Sequence, residues 1–108
     1  MNLQQFLESK AQNAWIVEGD LEVYVRRAKH CVGDKIYYSF DVANAVLRKR
    51  PSGDYLKFIL SLPDLLPDAF QIIYIENILA PGLDKMFKRL SYKKIEHSNP
   101  LCMFLKLH

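Results

Sequence analysis

The chain has 108 residues, half of them hydrophobic and a quarter charged, a balance that excludes a disordered segment and predicts one soluble domain over residues 1–108. Its apolar run from Phe70 to Ile75 is only strand length and ends at Glu76, so no membrane-spanning helix is predicted. The net charge of +3 comes from basic residues scattered in short groups, which permits nucleic-acid binding without arguing for it.

The first residues, Met1 to Phe6, lack the basic region and long apolar core of a secretion signal, so a cytoplasmic protein is expected. Cys31 and Cys102 lie far apart and form no Cys-x-x-Cys pair, which predicts reduced, partly buried thiols rather than a zinc or redox site.

Leu3, Phe6, Leu7 and Ala14 fall on one stripe and predict a first helix from Asn2 to Asn13. Trp15, Ile16 and Val17, stopped by Glu18-Gly19-Asp20, read as a strand entering a turn. Leu21, Val23 and Val25 alternate with polar residues, giving a half-buried strand that ends near His30. After the turn residues Val32 to Lys35, the stretch Ile36 to Leu47 has little helical period and reads as the central strand.

Arg48-Lys49-Arg50-Pro51-Ser52-Gly53-Asp54 is a loop, because proline cannot donate to a ladder and glycine tolerates unusual backbone angles. Tyr55, Phe58, Ile59 and Leu62 then define an amphipathic helix that should stop before Pro63. The nearly all-apolar Phe70 to Ile75 predicts a strand covered by helices on both faces, with Glu76 and Asn77 at its carboxyl end. Leu83, Met86, Phe87 and Leu90 share a face opposite Lys85, Lys88 and Arg89, predicting a helix from Pro81 to about Leu90. Tyr92 to Glu96 and Leu101 to Leu107 read as two antiparallel strands.

Phe40-Asp41-Val42-Ala43-Asn44-Ala45-Val46, the basic loop, and then Ile73-Tyr74-Ile75-Glu76-Asn77-Ile78-Leu79 resemble the GNAT superfamily of N-acetyltransferases, in particular the small GNAT-like proteins of bacteriophages. The resemblance spans about Leu21 to Leu107. It implies an α/β fold of the GNAT (acyl-CoA N-acyltransferase) type, with a mixed central sheet and helices on its faces. It also implies acetyl-CoA as cofactor, its pyrophosphate held by backbone N–H groups at a helix N-terminus, a setting that suits any anion.

The cofactor-binding positions implied are Leu47, Arg48, Arg50, Ser52, Gly53, Asp54 and Tyr55 on the loop, and Asn77 beyond the next strand. Glu76 is the implied general base toward an amine acceptor. Three positions depart from the family pattern: Tyr55 stands where a small residue is usual, Ala80 where an asparagine is usual, and Phe87 where a tyrosine protonates the leaving thiolate. Ser91 replaces a turn glycine.

Each position also has a plainer reading. Glu76 could be a solvated strand-end carboxylate or a helix cap, the loop cations a solvated turn, and Lys85, Lys88 and Arg89 the wet side of a helix. His30 and Cys31, adjacent on a strand, point to opposite faces and make no thiol dyad. His97 and His108 lack metal-ligand spacing, and no metal site is expected. Two functions follow: an acetyltransferase for an unknown amine, or a catalytically inactive relative that binds and inhibits a host or defence protein. A nucleic-acid binder is a weaker third, lacking an ordered array of aromatic and basic residues.

Overall fold

The computed structural model describes residues 1–47 and 53–108. In chain order the elements are α1 (Leu3–Glu8), β1 (Asn13–Glu18), β2 (Leu21–Val32), β3 (Lys35–Leu47), α2 (Asp54–Leu65), β4 (Ile72–Ile75), α3 (Leu83–Arg89), β5 (Lys93–Lys94) and β6 (Met103–Lys106). The six strands form one mixed sheet in the order β1-β2-β3-β4-β6-β5. Every neighbouring pair is antiparallel except β3 and β4, which run parallel because α2 carries the chain back across the sheet.

One face of the sheet carries the core. Ile16, Val23, Val25, Phe40, Val42, Ile73, Ile75 and Met103 are cross-strand neighbours of like orientation, and they join one apolar cluster with Leu3 and Phe6 of α1, Phe58, Ile59 and Leu62 of α2, and Phe87 of α3. Phe58, Ile73, Ile75 and Phe87 are all buried, as the apolar stripes predict. The three helices therefore pack on the same face. On the opposite face β4 is covered by side chains rather than by a helix: Ile72 is buried, and Tyr74 lies under the imidazole of His30.

Several element boundaries differ from expectation: β2 runs on to Val32 rather than ending near His30, β4 starts at Ile72 rather than Phe70, and the others have a visible cause. α1 ends at Glu8 because the Ser9 hydroxyl and amide both bond the Phe6 carbonyl, at 2.8 and 3.1 Å, and divert the chain. The Arg27 side chain from β2 then closes that end, donating to the carbonyls of Phe6, Leu7, Ser9 and Ala11. α2 continues through Pro63 to Leu65, since burial of Leu62 and Leu66 rewards a last turn closed by the Leu66 amide on the Leu62 carbonyl. α3 starts at Leu83 rather than Pro81, because Gly82 precedes it in the left-handed region at φ 86°. The last hairpin is shorter than predicted but antiparallel, with Ser98 accepting from the Cys102 amide at 3.0 Å within its loop. Both cysteines are free; Cys31 is exposed, not partly buried, whereas Cys102 is half-buried.

Candidate functional site

β2 and β3 form a long hairpin around Gly33, at φ 65°, pairing Val32 with Lys35 and Arg26 with Asp41. The ladder slips between Tyr24 and Val25: Tyr24 faces Asn44 and Val25 faces Val42, which leaves Ala43 as an extra residue, a β-bulge. The Ala45 amide bonds the Asn44 side chain at 2.8 Å just beyond it. At the same level the parallel pairing of β3 with β4 ends. Its last register pair is Val42 with Ile75, followed by a bond from the Glu76 amide to the Val42 carbonyl at 3.0 Å. β3 runs on beside β2, while the segment after β4 turns away through Asn77 at φ 57°, a conformation asparagine tolerates.

The parted strands leave a cleft of about 630 Å³. Its walls are Val42 to Ala45 on β3, Gly53, Tyr55 and Leu56 at the start of α2, Glu76 and Asn77 after β4, and Leu79, Ala80, Pro81, Leu83 and Met86 leading into α3. The lining is mostly apolar with few polar groups, the usual make-up of a small-molecule site, and it lies at the carboxyl ends of two parallel strands. Gly53 is the residue before α2, at φ 81°, and among the described residues no side chain caps that helix. The first-turn amides of α2 therefore lack partners inside the helix, and this helix start borders the cleft.

Of the residues predicted for the site, Gly53, Tyr55, Glu76 and Asn77 meet in this cleft. Asp54 does not; it lines a second cavity of about 510 Å³ with Asn2, Gln4, Glu18 and Lys57, between α1, α2 and the β1–β2 turn. Leu47 ends β3. Arg48, Arg50 and Ser52 lie outside the described residues.

Tyr55 is half-buried and meets Phe87 edge-on, ring centroids 6.3 Å apart at 90°. Phe87 in turn meets Tyr92 at 5.1 Å. Burial pushes the Tyr55 phenol up to about 12, and burial followed by the neighbouring Tyr55 raises Tyr92 as well. The Tyr92 hydroxyl is sealed from solvent without a hydrogen-bond partner among the described residues.

A polar network that the sequence reading did not assemble lies beneath Glu76, on the helix-free face. Asp41, fully buried, accepts from the Ser39 hydroxyl at 2.6 Å, Arg26 Nε at 3.0 Å and His30 Nε2 at 2.8 Å. The other end of the Arg26 guanidinium pairs with Glu76. His30 stacks on Tyr74 with centroids 3.7 Å apart, and burial, followed by the Cys102 thiol, pushes the Tyr74 phenol up to about 12. His30, Asp41 and Glu76 offer ligand atoms within 4.8 Å of one another, a spacing that suits a metal ion. The guanidinium already bridges the two carboxylates and supplies the positive charge that such an ion would bring.

No protein-family model and no curated protein matches the sequence. Among solved structures the chain is similar to the AtaT toxin, in a tyrosine-to-phenylalanine mutant bound to the C-terminus of the antitoxin AtaR and to acetyl-CoA. The TM-score is 0.62 at 12% identity, and the match covers 81% of this chain and 58% of that one. The chain thus spans little more than half the length of the protein it resembles. AtaT is a GNAT-fold acetyltransferase toxin, and the mixed sheet and helices described above have the same GNAT-like acetyltransferase fold.

Proposed function

We propose that the chain is a small GNAT-fold acetyltransferase that moves an acetyl group from acetyl-CoA to an amine. The observation that carries this reading is the cleft itself, opened by a bulge at the carboxyl ends of β3 and β4 and bordered by the uncapped start of α2. Cleft volume, apolar walls and helix N-terminus fit an acyl thioester with an anionic tail. The amides from Gly53 onward would hold the phosphates, Leu56, Leu83 and Met86 would line the arm, and the bound group would supply an activated acyl carbon. Similarity to a fold neighbour bound to acetyl-CoA supports the same choice.

In this reading Glu76 takes a proton from the attacking amine, directly or through water, and Arg26 fixes its carboxylate at the cleft wall. Calorimetry and thermal melting with acetyl-CoA test it. A concentration-dependent rise in melting temperature is expected, with Glu76→Gln keeping the rise and losing transfer. A folded chain that shows no shift at millimolar acetyl-CoA sinks the enzyme reading.

One observation favours a second reading. Phe87 is fully enclosed by Tyr55 and Tyr92, so the position that the resemblance assigns to a proton donor is apolar core. A relative without catalysis would bind another protein through its surface, as AtaT binds its antitoxin. The absence of an acetyl-CoA shift would leave this reading in place.

A further inference from the structure

We propose that Trp15 and Tyr24 form a subsite for the amine acceptor and select an amine joined through a short spacer to an aromatic ring; this rests on the acetyl-transfer reading above. The direction from which the amine arrives follows from alternation along the strands. Val23, Val25 and Val42 belong to the helix-covered core, so Tyr24, Arg26 and Asp41 beside them point to the other face. Asn44, the register partner of Tyr24, and Glu76, the ion-pair partner of Arg26, share that face. The cleft is therefore lined from two sides: Tyr55, Leu56, Leu83 and Met86 come from the helix layer, Asn44 and Glu76 from the helix-free face. A thioester whose phosphates sit at the start of α2 takes the helix side, which leaves the side with the carboxylate to the amine.

On that face an aromatic pair stands beside the cleft mouth. Trp15 pairs with Tyr24, and Tyr24 with Asn44, in one row across β1, β2 and β3. Neighbouring strands lie about 4.8 Å apart, so the two rings are one and two strand spacings, about 5 and 10 Å, from the Asn44 position. A short spacer covers that reach. The rings meet at 5.4 Å with an interplanar angle of 46°, and the indole is still 47% exposed. Val17 and Val46, 45% and 44% exposed, extend the apolar surface along the same face, one on each side of Glu22 in the register. A contiguous apolar surface left open beside a cleft marks a binding region.

The polar groups nearby decide which part of the acceptor lies where. Arg26, His30 and Asp41 are engaged with one another, so they hold the carboxylate of Glu76 at the mouth rather than offering a second charged contact. One end of the acceptor thus meets a carboxylate, which suits an amine, and the other meets open π-surface, which suits a ring stacked offset or edge-on. A cross-strand aromatic pair also steadies the β1–β2 ladder, a role that would affect stability but not the choice of amine.

The test uses the full chain and Trp15→Ala, each shown to be folded by its melting curve, with acetyl-CoA and either phenethylamine or propylamine. The parent should acetylate phenethylamine with a kcat/KM about tenfold above that for propylamine, and Trp15→Ala should bring the two near parity. Trp15 is the chain's one tryptophan, so its fluorescence reports the subsite without turnover. Phenethylamine should change the emission saturably, and propylamine should not. A parent that acetylates both amines equally overturns the proposal and leaves the acetyl-transfer reading intact. So does a preference that survives in Trp15→Ala, because the pair would then serve the sheet alone. A saturable fluorescence response in a parent that binds no acetyl-CoA overturns the transfer reading and keeps the aromatic subsite. A parent with neither response overturns both.

Discussion

Asp41 shows how one residue can organise a site without touching the cleft. A fully buried carboxylate is tolerable only when its oxygens are satisfied, and Ser39, Arg26 and His30 supply three donors. Through Arg26 the buried charge also fixes Glu76. Replacing Asp41 with alanine leaves Arg26 without its counter-charge and His30 without its hydrogen-bond partner, and should cost about 3–5 kcal/mol in chemical denaturation. Lys29→Ala, an exposed neighbour on β2, should stay within about 0.5 kcal/mol. Equal effects would show that the network contributes no more than an ordinary surface contact.

At the scale of elements, two turns make opposite demands on their residues. Gly53 starts α2 at φ 81°, and a Cβ there would meet nothing within 4 Å among the described residues, so Gly53→Ala isolates backbone strain and should cost about 1–2 kcal/mol. Ser91, in the left-handed region at φ 73°, closes α3 while the Tyr92 amide reaches back to the Phe87 carbonyl at 2.9 Å. Ser91→Gly should therefore stabilise the chain by about 1 kcal/mol, read as a rise in melting temperature. A drop would mean that the hydroxyl serves the turn. The same elements mark what the sequence makes legible. Period-two alternation exposes β2, helical stripes expose α2 and α3, and a glycine after a basic loop places the helix start at Gly53, because each is local. The cleft follows from the bulge at Ala43, which no composition signals. The Asp41 network needs the hairpin register: once Gly33 and Asp34 are taken as a two-residue turn, Arg26 must face Asp41. A polar Ser39 and Asp41 inside an apolar strand, two apart and so on one face, were the available clue. Arg26 and His30 on the partner strand share that face.

At the scale of the whole molecule, all three helices press on one sheet face and leave the other to side chains, and both layers bury phenols. Phe87 joins the helix layer to the sheet, and Phe87→Ala should cost about 3–5 kcal/mol. Tyr55 and Tyr92 flank it, while Tyr74 lies on the opposite face under His30. Burial is the first cause that raises all three phenols above the ordinary value of 10, to about 12 for Tyr55 and Tyr74. Between pH 10 and 12 the unfolded chain has released these protons and the folded chain retains them. The unfolded state then binds fewer protons, so stability must fall as pH rises. The contribution is complete below about pH 10, where both states hold the proton, and is lost as pH climbs through 12. Denaturant midpoints should accordingly be level from pH 8 to 9.5 and decline above 10. Tyr55→Phe together with Tyr74→Phe should make the decline shallower, leaving the part due to Tyr92. Phenolate absorbance should show part of the six tyrosines ionising late, together with unfolding. A decline that is equally steep in the double variant would place its origin in Tyr92 or in the lysines, whose ordinary range overlaps this window.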